Sequence, residues 1–518
     1  MLFNSYEFIL LFLPVVLVVF YLLARVTNHD VAIFWLVIAS IFFYGWWNPY
    51  YVILIVGSML FNYSIGLLIG KHHHKSPRMA LYLFVIGITV NLGLLGYFKY
   101  FNFFINNLSV LGFDVSYQNI ILPLAISFFT FQQIAFLTDV YQSKTCEYNL
   151  LHYGLFVVFF PQLIAGPIVH HKEMLPQFEK KQTFILNYEN LSVGAAIFII
   201  GLFKKVIIAD GVATYSTPVF NAADQGEVIT FFEAWGGVLA YTFQIYFDFS
   251  GYSDMAIGLA RMFGIRLPLN FHSPYKALNI IDFWRRWHIT LSRFLRDYLY
   301  FPLGGNRKGK SRRYVNLLTV MLLGGLWHGA GWTFVIWGGL HGLYLVINHA
   351  WHAILRTLKL EKICERRVFK VLAWSVTFLA VVVAWVFFRA TTYDGALNMM
   401  TGMMGFNGIV LPESYQFLAN KISGLDTGAV NYFYGLRQYL ILMLLVLVVV
   451  FMPNTQQMMR SFEPAYRYNE IYGKDVSKHR IGGFQIRLNH VTGIALSILF
   501  VYLLFNLTKV SEFLYFQF

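Results

Sequence analysis

Charge is scarce in this chain. Asp, Glu, Lys and Arg make up 12% of 518 positions, about half the share of a soluble domain. That excludes an ordinary water-soluble fold. Cysteine is nearly missing. Cys146 and Cys364 lie far apart and have no Cys-x-x-Cys or Cys/His spacing, which argues against a disulfide framework or a zinc site. The chain has no Gly-x-Ser-x-Gly elbow and no glycine-rich phosphate loop. A covalent serine intermediate is therefore not expected on it, and any phosphate would be held by side chains. No internal repeat is evident, which argues weakly against an inverted-repeat transporter. No basic residue precedes the apolar run 8–23 and no small-residue cleavage site follows it, so this run reads as a membrane span and not as a cleaved signal.

What the chain does contain is apolar. It is 58% hydrophobic and 19% aromatic, with runs of about 20 residues, each long enough to cross a bilayer. The fold class expected is an all-α polytopic membrane protein of about 12 transmembrane helices plus re-entrant segments, forming one integral-membrane domain over 1–518. The spans read at 8–25, 31–47, 51–69, 79–98, 121–141, 192–209, 232–260, 314–331, 333–352, 371–389, 436–453 and 489–507. The net charge of +14 is explained by basic cytoplasmic loops, not by a nucleic-acid partner. Loops 71–78 and 304–313 hold only bases, and 353–370 holds six bases against Glu361 and Glu365; these three are expected in the cytoplasm. Loop 210–233 carries only acids, and 391–435 carries Asp394, Glu413 and Asp426 against Lys421; these two are expected outside, as are both chain ends. His72-His73-His74 reads as solvated loop charge, not as a metal tract.

Two segments break the alternation of spans. Run 151–170 is apolar but contains Pro161 and Gly166-Pro167, which interrupt a helix, and it reads as re-entrant. Segment 272–303 is too polar to span. Broken backbone at membrane depth needs protein or a water-filled cavity around it, so a cavity entering from the cytoplasm is expected.

Polar residues gather in three clusters. Asp248 and Asp254 sit in Tyr246-Phe247-Asp248-Phe249-Ser250-Gly251-Tyr252-Ser253-Asp254. Six residues of helix turn the two carboxylates apart, so each needs its own partner, and Arg285 and Arg286 are the cations expected. In Asp282-Phe283-Trp284-Arg285-Arg286-Trp287-His288, Asp282 and Arg286 form an i,i+4 pair, and Trp284 and His288 share a helix face with Arg285 beside them. The blander reading is a helix anchored at the headgroups. The third cluster is Gly324-Gly325-Leu326-Trp327-His328-Gly329. An ionisable group in a membrane span points to function. On a helix, Gly324, Gly325 and Gly331 would leave a slot beside His328 for a substrate. The alternative is a histidine where glycines let a neighbouring helix pack closely. His341, His349 and His352 read as packing or interface residues.

Residues 283–292, Leu295-Arg296-Asp297-Tyr298-Leu299-Tyr300, Gly304-Gly305-Asn306-Arg307, Gly324–Gly329 and the 246–256 stretch together resemble the core, about 244–345, of the membrane-bound O-acyltransferase superfamily. The opening Phe3-Asn4-Ser5-Tyr6-Glu7-Phe8, Tyr97-Phe98-Lys99-Tyr100 and Leu163-Ile164-Ala165-Gly166-Pro167-Ile168 are similar to its alginate O-acetylation branch. The resemblance implies a helical shell around a central tunnel, with His328 at the family's invariant histidine and His288 at its second polar position. It implies acetyl-CoA as a donor substrate with no bound cofactor and no metal. It also implies a bacterial inner-membrane location, and an acetyl group passed outward to a cell-surface or exported polysaccharide. The partners implied are an extracytoplasmic (periplasmic) serine-type acetyltransferase, a polysaccharide synthesis or export complex, and the lipid bilayer.

On this reading His328 is the general base on the acceptor hydroxyl and His288 positions donor or acceptor. Asp248, Asp254, Trp284, Arg285, Arg286, Trp327, Gly324, Gly325, Arg307 and Lys308 are the residues expected to face substrate. Arg307, Lys308, Lys310, Arg312 and Arg313 would form a basic mouth for nucleotide phosphates. The competing class is a transporter or flippase of acyl groups or lipid-linked glycans without chemistry of its own. Haem ligation by the two histidines has no further sequence support.

Overall fold

The computed structural model describes residues 1–518 except 114–115, 143–148, 420–425, 429, 477–483, 508–513 and 515–518. Cys146 and Lys421 therefore lie outside the described residues. The chain is 75% helical with almost no sheet; the described strands are Val410–Pro412 and Asp426–Gly428, paired in parallel. Every span read from the sequence is occupied by a helix. Glu7–Val26, Tyr50–His72, Pro77–Val110, Tyr188–Asp224 and Arg367–Arg389 are long and apolar enough to cross a membrane, and His29–Gly45, Leu436–Phe451 and His490–Leu504 are shorter apolar helices. The fold class is all-α and polytopic, as expected.

Backbone contacts divide the chain into two units. The first comprises 1–203, 251–270 and 455–517; the second comprises 204–250 and 271–454, with residue 518. In the first unit, Phe8, Phe12, Phe43, Phe160 and Phe263 build an aromatic core. Asn62 and Asn91 pair their amides at 2.6 Å between two membrane helices. A Cβ on Gly194 would lie 2.6 Å from the carbonyl oxygen of Gly258, so these helices touch backbone to backbone, the packing that small residues permit in lipid.

The interrupted segments are interrupted where the sequence indicated. The Leu150–Val158 helix stops at Phe159, and a short Phe160–Leu163 turn follows, carrying Pro161. Segment 272–303 is a chain of fragments: Pro274–Lys276, Ile280–Trp284, Ile289–Leu295 and a π turn at Arg296–Tyr300. His288 sits in the break with φ of 41°, a left-handed conformation that few non-glycine residues adopt.

Candidate active site

His328, His288, Trp327, Trp337 and Phe388 belong to the second unit. The Gly309–His328 helix ends on His328, the chain turns through an extended Gly329, and the Trp332–Thr357 helix begins after Gly331. The two helices form a hairpin with no room between them. A Cβ on Gly325 would lie 2.3 Å from the Phe334 carbonyl oxygen and 3.1 Å from the Gly338 Cα, and one on Gly338 would lie 2.3 Å from the Met321 oxygen.

This corrects the expected slot. Gly325 is filled by the neighbouring backbone, a Cβ on Gly324 would already meet Leu295 at 3.3 Å, and Gly331 is not on the His328 helix at all. Gly324 and Gly325 serve helix packing, the alternative that the sequence left open.

His328 is instead enclosed by aromatic rings. Its ring centroid is 4.9 Å from Trp327, 5.1 Å from Trp337 and 5.2 Å from Phe388, all edge-on. His288 stands 6.4 Å away, ring centre to ring centre. It is fully buried, edge-on to Phe249 at 4.8 Å and 6.2 Å from Trp327. The two histidines, read from separate patches of sequence, thus belong to one ring cluster, with Trp327 against both.

Other expected geometry changes because the 280–295 stretch is not one helix. The backbone breaks after Trp284, so Trp284 and His288 do not share a face. Trp284 donates its indole N–H to Nδ1 of His341 at 3.3 Å. His341 is fully buried and packs edge-on against Trp337 at 4.9 Å. It is a packing residue, as read, but one within a ring or two of His328. Trp385 extends the cluster, 5.9 Å from Trp337 and 4.9 Å from Trp287.

The expected ion pairs are also corrected. Arg286 pairs with Asp282 at 2.8 Å, as read, and its backbone carbonyl accepts from the His272 N–H. Among the described residues neither arginine pairs with Asp248. Asp248 is buried and takes Lys205 at 2.7 Å, and Lys205 also reaches Asp210 at 2.8 Å. Asp254, in the first unit, accepts from the Thr455 hydroxyl and the Gln456 amide, each at 2.6 Å. The physical reason is proximity on the path of the chain: the 282–286 turn uses up Arg286 locally, and Arg285 is exposed. Sequence reading missed Lys205, although a lysine within the 192–209 span is the kind of costly group that marks an internal partner. Trp337, Trp385 and Phe388 were missed because aromatic residues are too common in this chain to stand out.

Arg307 and Lys308 are exposed in the turn before the Gly309–His328 helix, with Lys310 and Arg312 exposed in its first turns. The helix starts with no acid in its first turn. Positive charge at a helix N-terminus opposes the macrodipole, so this cluster is not placed there to stabilise the helix.

A family model for the membrane-bound O-acyltransferase family matches residues 84–389, which contain the two histidines and their aromatic surround. The chain belongs to this family, and it is a multi-pass membrane O-acyltransferase. It is 47% identical over 457 residues to a peptidoglycan O-acetyltransferase of Helicobacter pylori, covering 82% of this chain and 84% of that protein. It is 42% identical over 451 residues to the probable alginate O-acetylase AlgI of Pseudomonas aeruginosa, covering 85% and 82%. A teichoic acid D-alanyltransferase of Streptococcus thermophilus is more distant, 27% identical over 295 residues, covering 54% of this chain and 70% of that protein. These relatives agree with the branch resemblance read from the motifs.

Proposed function

We propose that the chain takes acetyl groups from acetyl-CoA in the cytosol and passes them across a bacterial inner membrane for O-acetylation of an exported or cell-surface polysaccharide. The observation that carries this reading is the pair His288 and His328, 6.4 Å apart in an aromatic surround. His328 acts as base: it takes the proton of the acceptor hydroxyl as that oxygen attacks the thioester carbonyl. The carbon–sulfur bond breaks, and the CoA thiolate leaves with the proton returned by the imidazolium. His288 orients donor or acceptor at the same point. The surrounding rings exclude water, which protects the thioester from hydrolysis.

The exposed bases at 307–312 support a donor that carries phosphates. The names of the relatives, which act on peptidoglycan or alginate, support a polysaccharide as the final acceptor. Direct transfer on this chain leaves the acetyl group to be placed on the polymer by an extracytoplasmic serine-type acetyltransferase. Membrane vesicles given radiolabelled acetyl-CoA on the cytoplasmic face test the donor and the direction together. Label should appear in an acceptor trapped on the opposite face. Transfer only from a carrier-protein thioester would overturn the donor, and label confined to the cytoplasmic side would overturn the transmembrane step.

A further inference from the structure

A second site lies in the same unit, away from both histidines. A cavity of about 510 Å³ opens between the Trp332–Thr357 and Arg367–Arg389 helices, within the ~300–1,000 Å³ range of sites that take small molecules. Its lining is apolar, with Ile347, Trp351, Leu372 and Val376 among it. These four side chains remain exposed. Arg367–Arg389 is one of the helices apolar and long enough to cross a bilayer, so the mouth of the cavity is continuous with a surface that faces lipid. At one end the lining turns basic, with His352 and Lys370.

The connection between the two helices reinforces that charge. Arg356, Lys359, Lys362, Arg366, Arg367 and Lys370 stand against Glu361 and Glu365, six positive charges less two negative, a surplus of four. Arg356 is partly answered by Glu361 at 3.6 Å, whereas Arg367 and Lys370, one turn apart on the same helix face, are exposed. An apolar crevice with a basic rim at a membrane boundary has the chemistry of an anionic amphiphile: chain in the crevice, phosphate on the rim. Because the mouth faces the bilayer, the occupant arrives through lipid.

We propose that this crevice binds an anionic phospholipid, one acyl chain between the two helices and the phosphate against Lys370 and Arg367. The site is distinct from the acyl-transfer centre, and its occupancy does not depend on the donor assignment.

Native mass spectrometry of the purified full-length chain in detergent tests this, titrated with phosphatidylglycerol or with phosphatidylcholine of the same chains. Phosphatidylglycerol should be retained in preference, by about fivefold for each rim base that meets the phosphate. Lys370→Gln with Arg367→Gln, both at exposed positions, should remove the preference and leave phosphatidylcholine binding as it was. Ala373→Trp, which fills the crevice, should lower the occupancy of both lipids severalfold. Equal retention of the two lipids by the unaltered chain would overturn the proposal, as would undiminished phosphatidylglycerol binding in both variants. Displacement of the lipid by palmitoyl-CoA at equal concentration would assign the crevice to a thioester instead.

Discussion

His328 and His288 meet ring to ring at 6.4 Å, although one ends a long helix and the other sits in a strained break between two short ones. The left-handed backbone at His288 costs on the order of 1–3 kcal/mol. Such strain persists where the surroundings over-determine it, and here Phe249 and Trp327 hold the ring toward His328.

The first expectation concerns His328 itself. His328→Gln keeps hydrogen bonding but removes a group able to take a proton near neutrality, and transfer should fall about 10²–10⁴-fold. His328→Ala should be as inactive and also less stable by about 2 kcal/mol, because it leaves a void among Trp327, Trp337 and Phe388. That stability cost follows from the packed surround; an open slot would have made the truncation nearly free. Acetyl transfer per folded molecule, with thermal unfolding in detergent, separates the two effects. Most of the activity surviving in His328→Gln would move the chemistry to His288 or to a partner protein.

Lys205 offers a test of the buried charge network. Lys205→Met removes the ammonium that Asp210 and Asp248 share, and breaking a buried pair costs about 3–5 kcal/mol. The double variant Lys205→Met with Asp248→Leu should recover part of that loss, because the more deeply buried carboxylate is then gone and Asp210, which keeps some access to water, is the carboxylate that remains. Unfolding temperatures of the purified variants decide it; a double variant no more stable than Lys205→Met alone would show that the pair is not the unit of stability.

The fold class, and a helix within each expected span, were legible in the sequence because apolar runs set apart by charged loops leave few alternatives. The interruptions at 159–167 and 272–303 were legible too, from Pro161, Gly166-Pro167 and the density of charge. The partners were not. Asp248 and Lys205 are brought together by tertiary packing that no local spacing encodes, and the Trp284–His288 face existed only on the assumption of one continuous helix. The glycines beside His328 were correctly singled out and wrongly used: bare faces on a helix indicate equally a cavity or a close neighbour, and only the position of Phe334 decides between them.

Those glycines give a sharp contrast. Gly325→Ala drives a Cβ to within 2.3 Å of a backbone oxygen, an atom that cannot swing aside, so the hairpin must part at a cost of about 1–3 kcal/mol. The shift separates His328 from Trp337 and should lower transfer as well. Gly331→Ser is the control. Its backbone is extended, the nearest atom to a new Cβ is 3.6 Å away, and serine is a favoured residue at a helix N-cap. It should fold and transfer like the unaltered protein. Equal behaviour of the two variants would show that close packing at Gly325 is not what fixes the hairpin.

The basic cluster before His328's helix should separate function from stability in the opposite sense. Lys308, Lys310, Arg312 and Arg313 crowd the N-terminal end of the Gly309–His328 helix, where positive charge opposes the macrodipole. Replacing all four by glutamine should leave the helix as stable or firmer, by about 0.3–1 kcal/mol for each charge near the first turn. A phosphate-bearing donor loses its attraction at the same time, so the KM for acetyl-CoA should rise, most at low ionic strength, where screening is weakest. The kcat should change little, because none of the four reaches the histidines. Donor titrations at two salt concentrations, on protein shown by accessibility labelling to keep its orientation, make the measurement. An unchanged KM in a correctly inserted variant would assign these charges to membrane topology alone.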